Sequence, residues 1–407
     1  MNPVDANIHI DTLVALLLVA CATVVVTKWV RVPYAVALVI AGLIIGLSKA
    51  LPPVPMTPDL VLLIFLPALL FEASWNMDIK ALRRDWLSIS VLATVGVIVC
   101  MIGVAAILQI AGQMNLGTAL LFGAMVSATD PVSVVALFRQ MGIDPRLTMI
   151  LEGESLFNDG TAVVLFQIVL AALTSGSTIS PLAMMGSFAL VVAGGALLGL
   201  VLGYAASRLT SAFDDHLLET TLTLITAYGA YLLADRLHVS AVIAVVVAGI
   251  VLGNFGSGNG MSKQTRFAVN AFWEYAAFLG NSLLFLLIGL EVQLPLLLAY
   301  AQIIALGVAA VFFSRLLVVY GLCPLVSRAS VPIPYEWRHI MFWGGLRGAL
   351  VMALALSLPV GFPQREALVN MTYGVVLFTL LVPGLTIEPL ARILGLSHSE
   401  QATEAAK

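Results

Sequence analysis

Charge is scarce in this chain. Asp, Glu, Lys and Arg make up 10% of its 407 residues, against roughly a quarter in soluble globular domains, so an ordinary water-facing surface cannot be built from it. Cysteine is nearly missing too. Cys21, Cys100 and Cys323 lie far apart in apolar stretches, which excludes a disulfide framework or a thiolate metal cluster and leaves packing as their role. The five histidines, His9, His216, His238, His339 and His398, fall at the edges of apolar runs or in the tail. No histidine is placed for zinc ligation or for a nucleophile-base-orienter set, so an enzyme is not expected and no cofactor is implied. The net charge of −3 and the polar tail LSHSEQATEAAK exclude the basic footprint of a nucleic-acid binder.

What is present is apolar. Hydrophobic residues make up 61% of the chain, in runs near the length of about 18 residues that crosses the hydrocarbon core as a helix. The period is helical and not the short alternation of a barrel. The fold class expected is therefore an all-α polytopic membrane protein with 13 transmembrane helices, at about 9–27, 33–49, 59–77, 86–110, 117–138, 147–173, 182–207, 217–234, 239–254, 267–291, 296–324, 336–358 and 367–394. Asp5 and Asp11 stand before or at the opening of the first span, which has neither a basic start nor a small-residue cleavage site; no cleavable leader is expected. No soluble domain is expected either.

The basic residues orient the spans. Lys28, Arg31, Lys80, Arg83, Arg84, Arg139, Arg146, Arg208, Lys263, Arg266, Arg328, Arg338, Arg392 and Lys407 fall in the odd-numbered loops and the C-terminus, against Lys49, Arg236 and Arg365 on the other side. Cytoplasmic loops keep the excess, so the N-terminus is expected outside and the C-terminus in the cytoplasm of a cell inner membrane. Arg315 and Arg347 remain, and both fall within spans.

Two segments repeat. VPYAVALVIAGLIIG (32–46) aligns with VSAVIAVVVAGIVLG (239–253); these are the second and ninth spans, seven apart and so antiparallel. That is the pattern of an inverted-repeat transporter, whose site lies near mid-membrane at interrupted helices in corresponding positions. One transmembrane domain follows, with a first repeat over about 9–173, a second over about 217–394 and a linking helix at about 182–207. The same offset pairs the fifth span with the twelfth. SATDPVSV (127–134) and WGGLRGAL (343–350) are the expected interruptions. Pro131 cannot donate to the Ser127 carbonyl, and Asp130 is pushed out of the helical region by the proline that follows it. Pro131 suits the first position of a new half-helix with Asp130 as N-cap, while carbonyls around Ala128 and Thr129 are left free for a small hard cation. Gly344, Gly345 and Gly348 permit a similar unwinding around Arg347.

The stretch LEGESLFNDG (151–160) brings polar groups into the sixth span. At 100° per residue, Glu154 lies within about 40° of Asn158, and Ser155 within the same angle of Asp159, with Glu152 close by. Such a face must meet protein or a water-filled cavity. At about 1.5 Å per residue, Glu154 is about 10 Å and Asp159 about 18 Å from the cytoplasmic start, with Asp130 at the level of Asp159 and Glu72 near it. Arg315 reaches the level of Glu154, and the two are expected to form a structural ion pair. Arg347 compensates either Glu152 or the carbonyl ends at the crossover. Asp159 is left with least fixed compensation. A buried carboxyl binds a proton or a metal cation but not both well, and that competition suffices for exchange. The Ser155 hydroxyl, the Thr129 carbonyl and water held by Glu72 complete an oxygen shell for Na+ or Li+, while Asn158 holds Asp130 or a backbone group in place. A K+/H+ antiporter, or a cation channel or pH sensor using the same acids, is the alternative.

Taken together, FLPALLFEA, ATDPVSVVALF, EGESLFNDGTA, the arginine of SRLLVVY and WGGLRGALVMALALSLP resemble the monovalent cation:proton antiporter family 1, the NhaP-type and NHE-type sodium/proton exchangers. The resemblance spans essentially the whole chain. It implies a thirteen-helix inverted-repeat antiporter, a homodimer with a mobile core and an interface domain. It also implies Asp159 as the cation and proton carrier, Thr129, Ser155 and, through water, Glu72 as ion ligands, Asn158 and Asp130 as organisers, and Glu154 with Arg315 as a structural pair. Electrogenic relatives carry a second acid at the position of Asn158, so the resemblance is to the electroneutral, one-for-one branch. The short C-terminus departs from relatives that carry regulatory tails.

Overall fold

The computed structural model describes residues 10–27, 29, 32–49, 56–175, 181–212, 214–256 and 261–396. Asp5, His9, Lys28, Arg31 and the tail beyond Leu396, with His398 and Lys407, lie outside the described residues. Helix is the only regular secondary structure among the described residues.

In chain order the helices are α1 (Ile10–Thr27), α2 (Tyr34–Ser48), α3 (Leu60–Trp75) and α4 (Ile79–Ile110). A broken pair follows, α5 (Leu116–Ser127) and α6 (Val132–Met141), then α7 (Pro145–Ser175) and α8 (Pro181–Thr210). The second half holds α9 (His216–Arg236), α10 (Ala241–Gly256), α11 (Lys263–Leu290), the short α12 (Leu294–Ala299) and α13 (Ala301–Ala329). It ends on a second broken pair, α14 (Tyr335–Trp343) and α15 (Ala349–Leu356), and on α16 (Arg365–Ile393). Among the described residues, eight rods are long and apolar enough to cross a bilayer, α5 and α6 counting as one, and α1, α2, α3 and α10 are shorter apolar helices. Polar loop residues start the rods. The Asn115, Asp215, Ser240 and Ser262 side chains accept backbone N–H bonds in the first turns of α5, α9, α10 and α11, satisfying donors that have no intrahelical partner.

The two aligned segments make matching contacts. Gly42 of α2 lies against the Leu286 carbonyl of α11, and Gly249 of α10 against the Ser74 hydroxyl and Phe71 carbonyl of α3. At both places a Cβ would occupy space already taken by backbone or a hydroxyl, so glycine sets how closely the rods approach.

The ends of the bundle are chemically distinct. At one, the Arg146 guanidinium donates to the Asp85 carboxylate at 2.7 Å and to the carbonyls of Pro332 (2.9 Å) and Val331 (3.0 Å), and lies 5.5 Å from the Trp337 ring. Segments following α6 and α13 thereby meet the first turns of α4. At the other end, the Glu291 carboxylate accepts the Met56 N–H and the Tyr373 hydroxyl, joining the segment before α3, the end of α11 and the start of α16.

Four wide π-turns among the described residues, at Leu60–Phe65, Leu92–Gly96, Leu252–Gly256 and Leu317–Leu322, had no signal in the apolar pattern, because one extra residue per turn leaves composition unchanged. Those of α4 and α13 touch, with Val318 against Gly96.

Candidate ion-binding site

The helix interruptions fall at 128–131 and 344–348, and the two irregular segments bond to each other. The Asp130 N–H donates to the Leu346 carbonyl at 2.8 Å. One detail of the expected capping is corrected. Helix α6 begins at Val132, not at Pro131, because the first backbone bond of the half-helix is accepted by the Pro131 carbonyl, from Val135 at 2.7 Å, which leaves Val132 in the first turn with an N–H that has no intrahelical acceptor. That N–H donates to the Asp130 carboxylate at 3.1 Å, so the acid still faces the positive end of the half-helix. Gly348 closes over the same carboxylate, where a Cβ would overlap it.

Arg347 takes the carbonyl ends and not Glu152. It is 1% exposed, and its guanidinium donates to the Ser127 carbonyl at 2.9 Å and the Ala128 carbonyl at 2.6 Å, placing a cation on the negative end of α5. The Ala128 carbonyl, expected to be free for an ion, is therefore occupied. Glu152 instead accepts from Arg139 at 2.6 Å. The backbone N–H of Arg347 is held by the Thr379 hydroxyl at 3.1 Å, which ties the crossover to α16.

Helix α7 supplies the remaining groups. Asn158 clamps Thr129 twice, its Nδ2 donating to the Thr129 hydroxyl at 2.7 Å and its Oδ1 accepting the Thr129 N–H at 3.2 Å. Of its two expected targets it holds the backbone and not Asp130. The Ser155 hydroxyl donates to the Thr129 carbonyl, bringing two hard oxygens together. Glu154 points elsewhere: its carboxylate accepts both terminal nitrogens of Arg315, whose guanidinium also donates to the Met341 carbonyl at 3.0 Å.

A cavity of about 270 Å³ collects the rest. Thr129, Asp130, Pro131, Ser155, Asp159 and Glu72 line it. Asn76, Arg139 and Glu152 line it near the Arg146 end of the bundle, and the first two are exposed, so the cavity opens there. Glu72 accepts from the Asn76 amide at 2.9 Å. Of the four acids on the walls, Asp159 differs: Glu72, Asp130 and Glu152 each accept a hydrogen bond, whereas the half-buried Asp159 carboxylate has no hydrogen-bond partner among the described residues. The arrangement is an acid facing a cavity open at one end, beside the Ser155 hydroxyl and the Thr129 carbonyl. It suits a small hard cation or a proton.

Sequence reasoning did not single out Asn76, Arg139 or Asn281, all on the cavity wall. The first two stand beside loops, where polar residues are ordinary. Asn281 did carry a signal, an amide inside the apolar run AFLGNSLLFLL.

A family profile described as "Sodium/hydrogen exchanger, transmembrane" matches residues 14–393. The chain is 43% identical over 371 residues to the low-affinity Na(+)/H(+) antiporter NhaS1 of Synechocystis sp., covering 90% of this chain and 70% of that protein. It is 42% identical to the Na(+)/H(+) antiporter NhaP of Pseudomonas aeruginosa, covering 84% and 82% of the two chains. Its fold is similar to that of the sodium proton antiporter MjNhaP1 from Methanocaldococcus jannaschii, with a TM-score of 0.78 at 21% identity over 95% of this chain and 98% of that one.

Proposed function

This chain belongs to the transmembrane sodium/hydrogen exchanger family, and on that footing we propose that it exchanges Na+, or Li+, for H+ at Asp159, one ion for one proton. The observation that carries the assignment is the lone carboxylate: Asp159 alone among the cavity acids is without a hydrogen-bond donor among the described residues. Its partner is therefore the transported species.

In this reading the cation sits between the Asp159 carboxylate, the Ser155 hydroxyl and the Thr129 carbonyl, with Glu72 acting through water. Asn158 and Asp130 hold the crossover. Asn158 is neutral and its amide is spent at both ends on Thr129, so one transport charge is present and the exchange is electroneutral. A protonated Asp159 and a cation-bound Asp159 both leave the site neutral, which lets either form cross the low-dielectric core while the bare carboxylate is held back. The cavity opening at the Arg146 end is the cytoplasmic access, by the excess of basic residues in the loops that meet there. The protein acts in the inner membrane of a cell as a homodimer, with its N-terminus outside and its C-terminus in the cytoplasm.

The test is dissipation of a pH gradient in proteoliposomes by Na+, Li+ and K+ in turn, with and without an imposed membrane potential. The parent exchanges Na+ and Li+ at rates independent of potential, and Asp159→Asn does not exchange at all. Undiminished exchange by that variant would remove the assignment, and a potential-driven conductance would favour a channel.

A further inference from the structure

Two polar side chains on the cavity wall have no hydrogen-bond partner among the described residues. One is Asp159. The other is Asn281, half-buried on α11 beside Leu284 and Phe285. The remaining polar groups there are committed: Glu72 to Asn76, Glu152 to Arg139, Asp130 to the Val132 N–H, and Thr129 to Asn158 and Ser155. An amide in an apolar wall is unfavourable without a partner, and here the wall itself is fixed. The neighbouring Ser282 hydroxyl bonds to the Tyr34 hydroxyl at 2.6 Å and to the Phe278 carbonyl, the Tyr34 and Phe278 rings stack at 5.7 Å, and Gly289 packs on the backbone of α2. Contacts with α2 hold α11 in place, and the amide is left facing the cavity.

We infer that Asn281 is a ligand of the transported cation, presenting its amide oxygen directly or through one water from the α11 wall of the Asp159 cavity. The inference rests on that cavity being the exchange site. An amide oxygen is a neutral hard ligand of the kind that suits Na+ and Li+. It does not titrate, so it strengthens cation binding without competing for the proton. The two constants that set the apparent KM, one for the cation and one for the proton at Asp159, are thereby separable.

The experiment measures apparent KM for Na+ and for Li+ against pH in proteoliposomes holding the parent, Asn281→Leu, Asn281→Ser or Asp159→Asn, each checked for monodisperse elution beforehand. Asn281→Leu keeps the volume and removes the oxygen. Its apparent KM for Na+ rises about tenfold at every pH, the size expected for one lost bond to a charged group, while kcat and the pH at which KM begins to climb stay those of the parent. Asn281→Ser, which keeps an oxygen, recovers part of the loss. If Asn281→Leu does not fold, the serine variant decides alone: an elevated KM supports the ligand role and a parental KM overturns it. Parental KM values for both variants, with Asp159→Asn inactive, overturn the role of Asn281 and leave the exchange site standing. Parental exchange by Asp159→Asn removes the premise and the inference with it.

Discussion

The division of labour among the acids of α7 follows from what each one touches. Glu154, 1% exposed, faces a guanidinium; Glu152 faces one at the cavity mouth; Asp159 lines the cavity with no hydrogen-bond partner among the described residues. A buried ion pair is no sign of large net stability, yet breaking one by removing a single partner leaves a lone buried charge that costs about 3–5 kcal/mol. Glu154→Gln and Arg315→Met should each lower the thermal midpoint and folded yield in detergent, and the double variant should recover part of both. Single variants as stable as the parent would show that the pair carries no structural weight. The positions of Glu154, Arg315, Asn158, Ser155 and Asp159 were legible because a charged or polar residue inside an apolar helix stands out, and because 100° per residue fixes which of them share a face. The choice Arg347 makes was not. Its two options differ by which neighbouring chain segment approaches, and a one-dimensional pattern holds no such information.

Among the secondary-structure elements, the crossover is the decisive one. Proline at 131 and glycines at 344, 345 and 348 mark where the two helices stop, and the breaks fall there because Pro131 lacks a donor and Gly348 admits the Asp130 carboxylate. The offset of one residue at the start of α6 arises because the Pro131 carbonyl accepts the first backbone bond of the half-helix, from Val135. Gly348→Ala pushes a methyl group into Asp130, an overpacking that costs about 1–3 kcal/mol, and it displaces the segment that carries Thr129. Its Na+-driven exchange should fall and its thermal midpoint should drop, measured beside Gly229→Ala as control, because a Cβ at Gly229 meets open space. A Gly348→Ala protein with parental exchange and stability would mean that the crossover tolerates a different path. The π-turns that bend α3, α4, α10 and α13 stayed hidden, since hydrophobic residues fill both a 3.6-residue turn and a wider one.

For the whole molecule, the loops rich in Lys and Arg mark one end of the bundle, and the Arg146 cluster shows three of those regions meeting there. The cavity opens at that end, and at the opposite one Glu291 ties Met56 and Tyr373 together. The aligned segments of α2 and α10 pack through glycine onto α11 and α3 in the same manner, so the similarity read along the chain has a counterpart in space. A bundle of this kind exchanges ions only if one acid cannot satisfy both of its guests. The direct measurement is calorimetric titration of the purified protein with NaCl at several pH values, in buffers of different ionisation enthalpy. Competition at Asp159 predicts that each Na+ bound releases one proton to the buffer, that affinity falls about tenfold per unit of acidification once the protonated form dominates, and that Asp159→Asn shows no such heat. Sodium binding that releases no proton and keeps its affinity in acid would contradict the account.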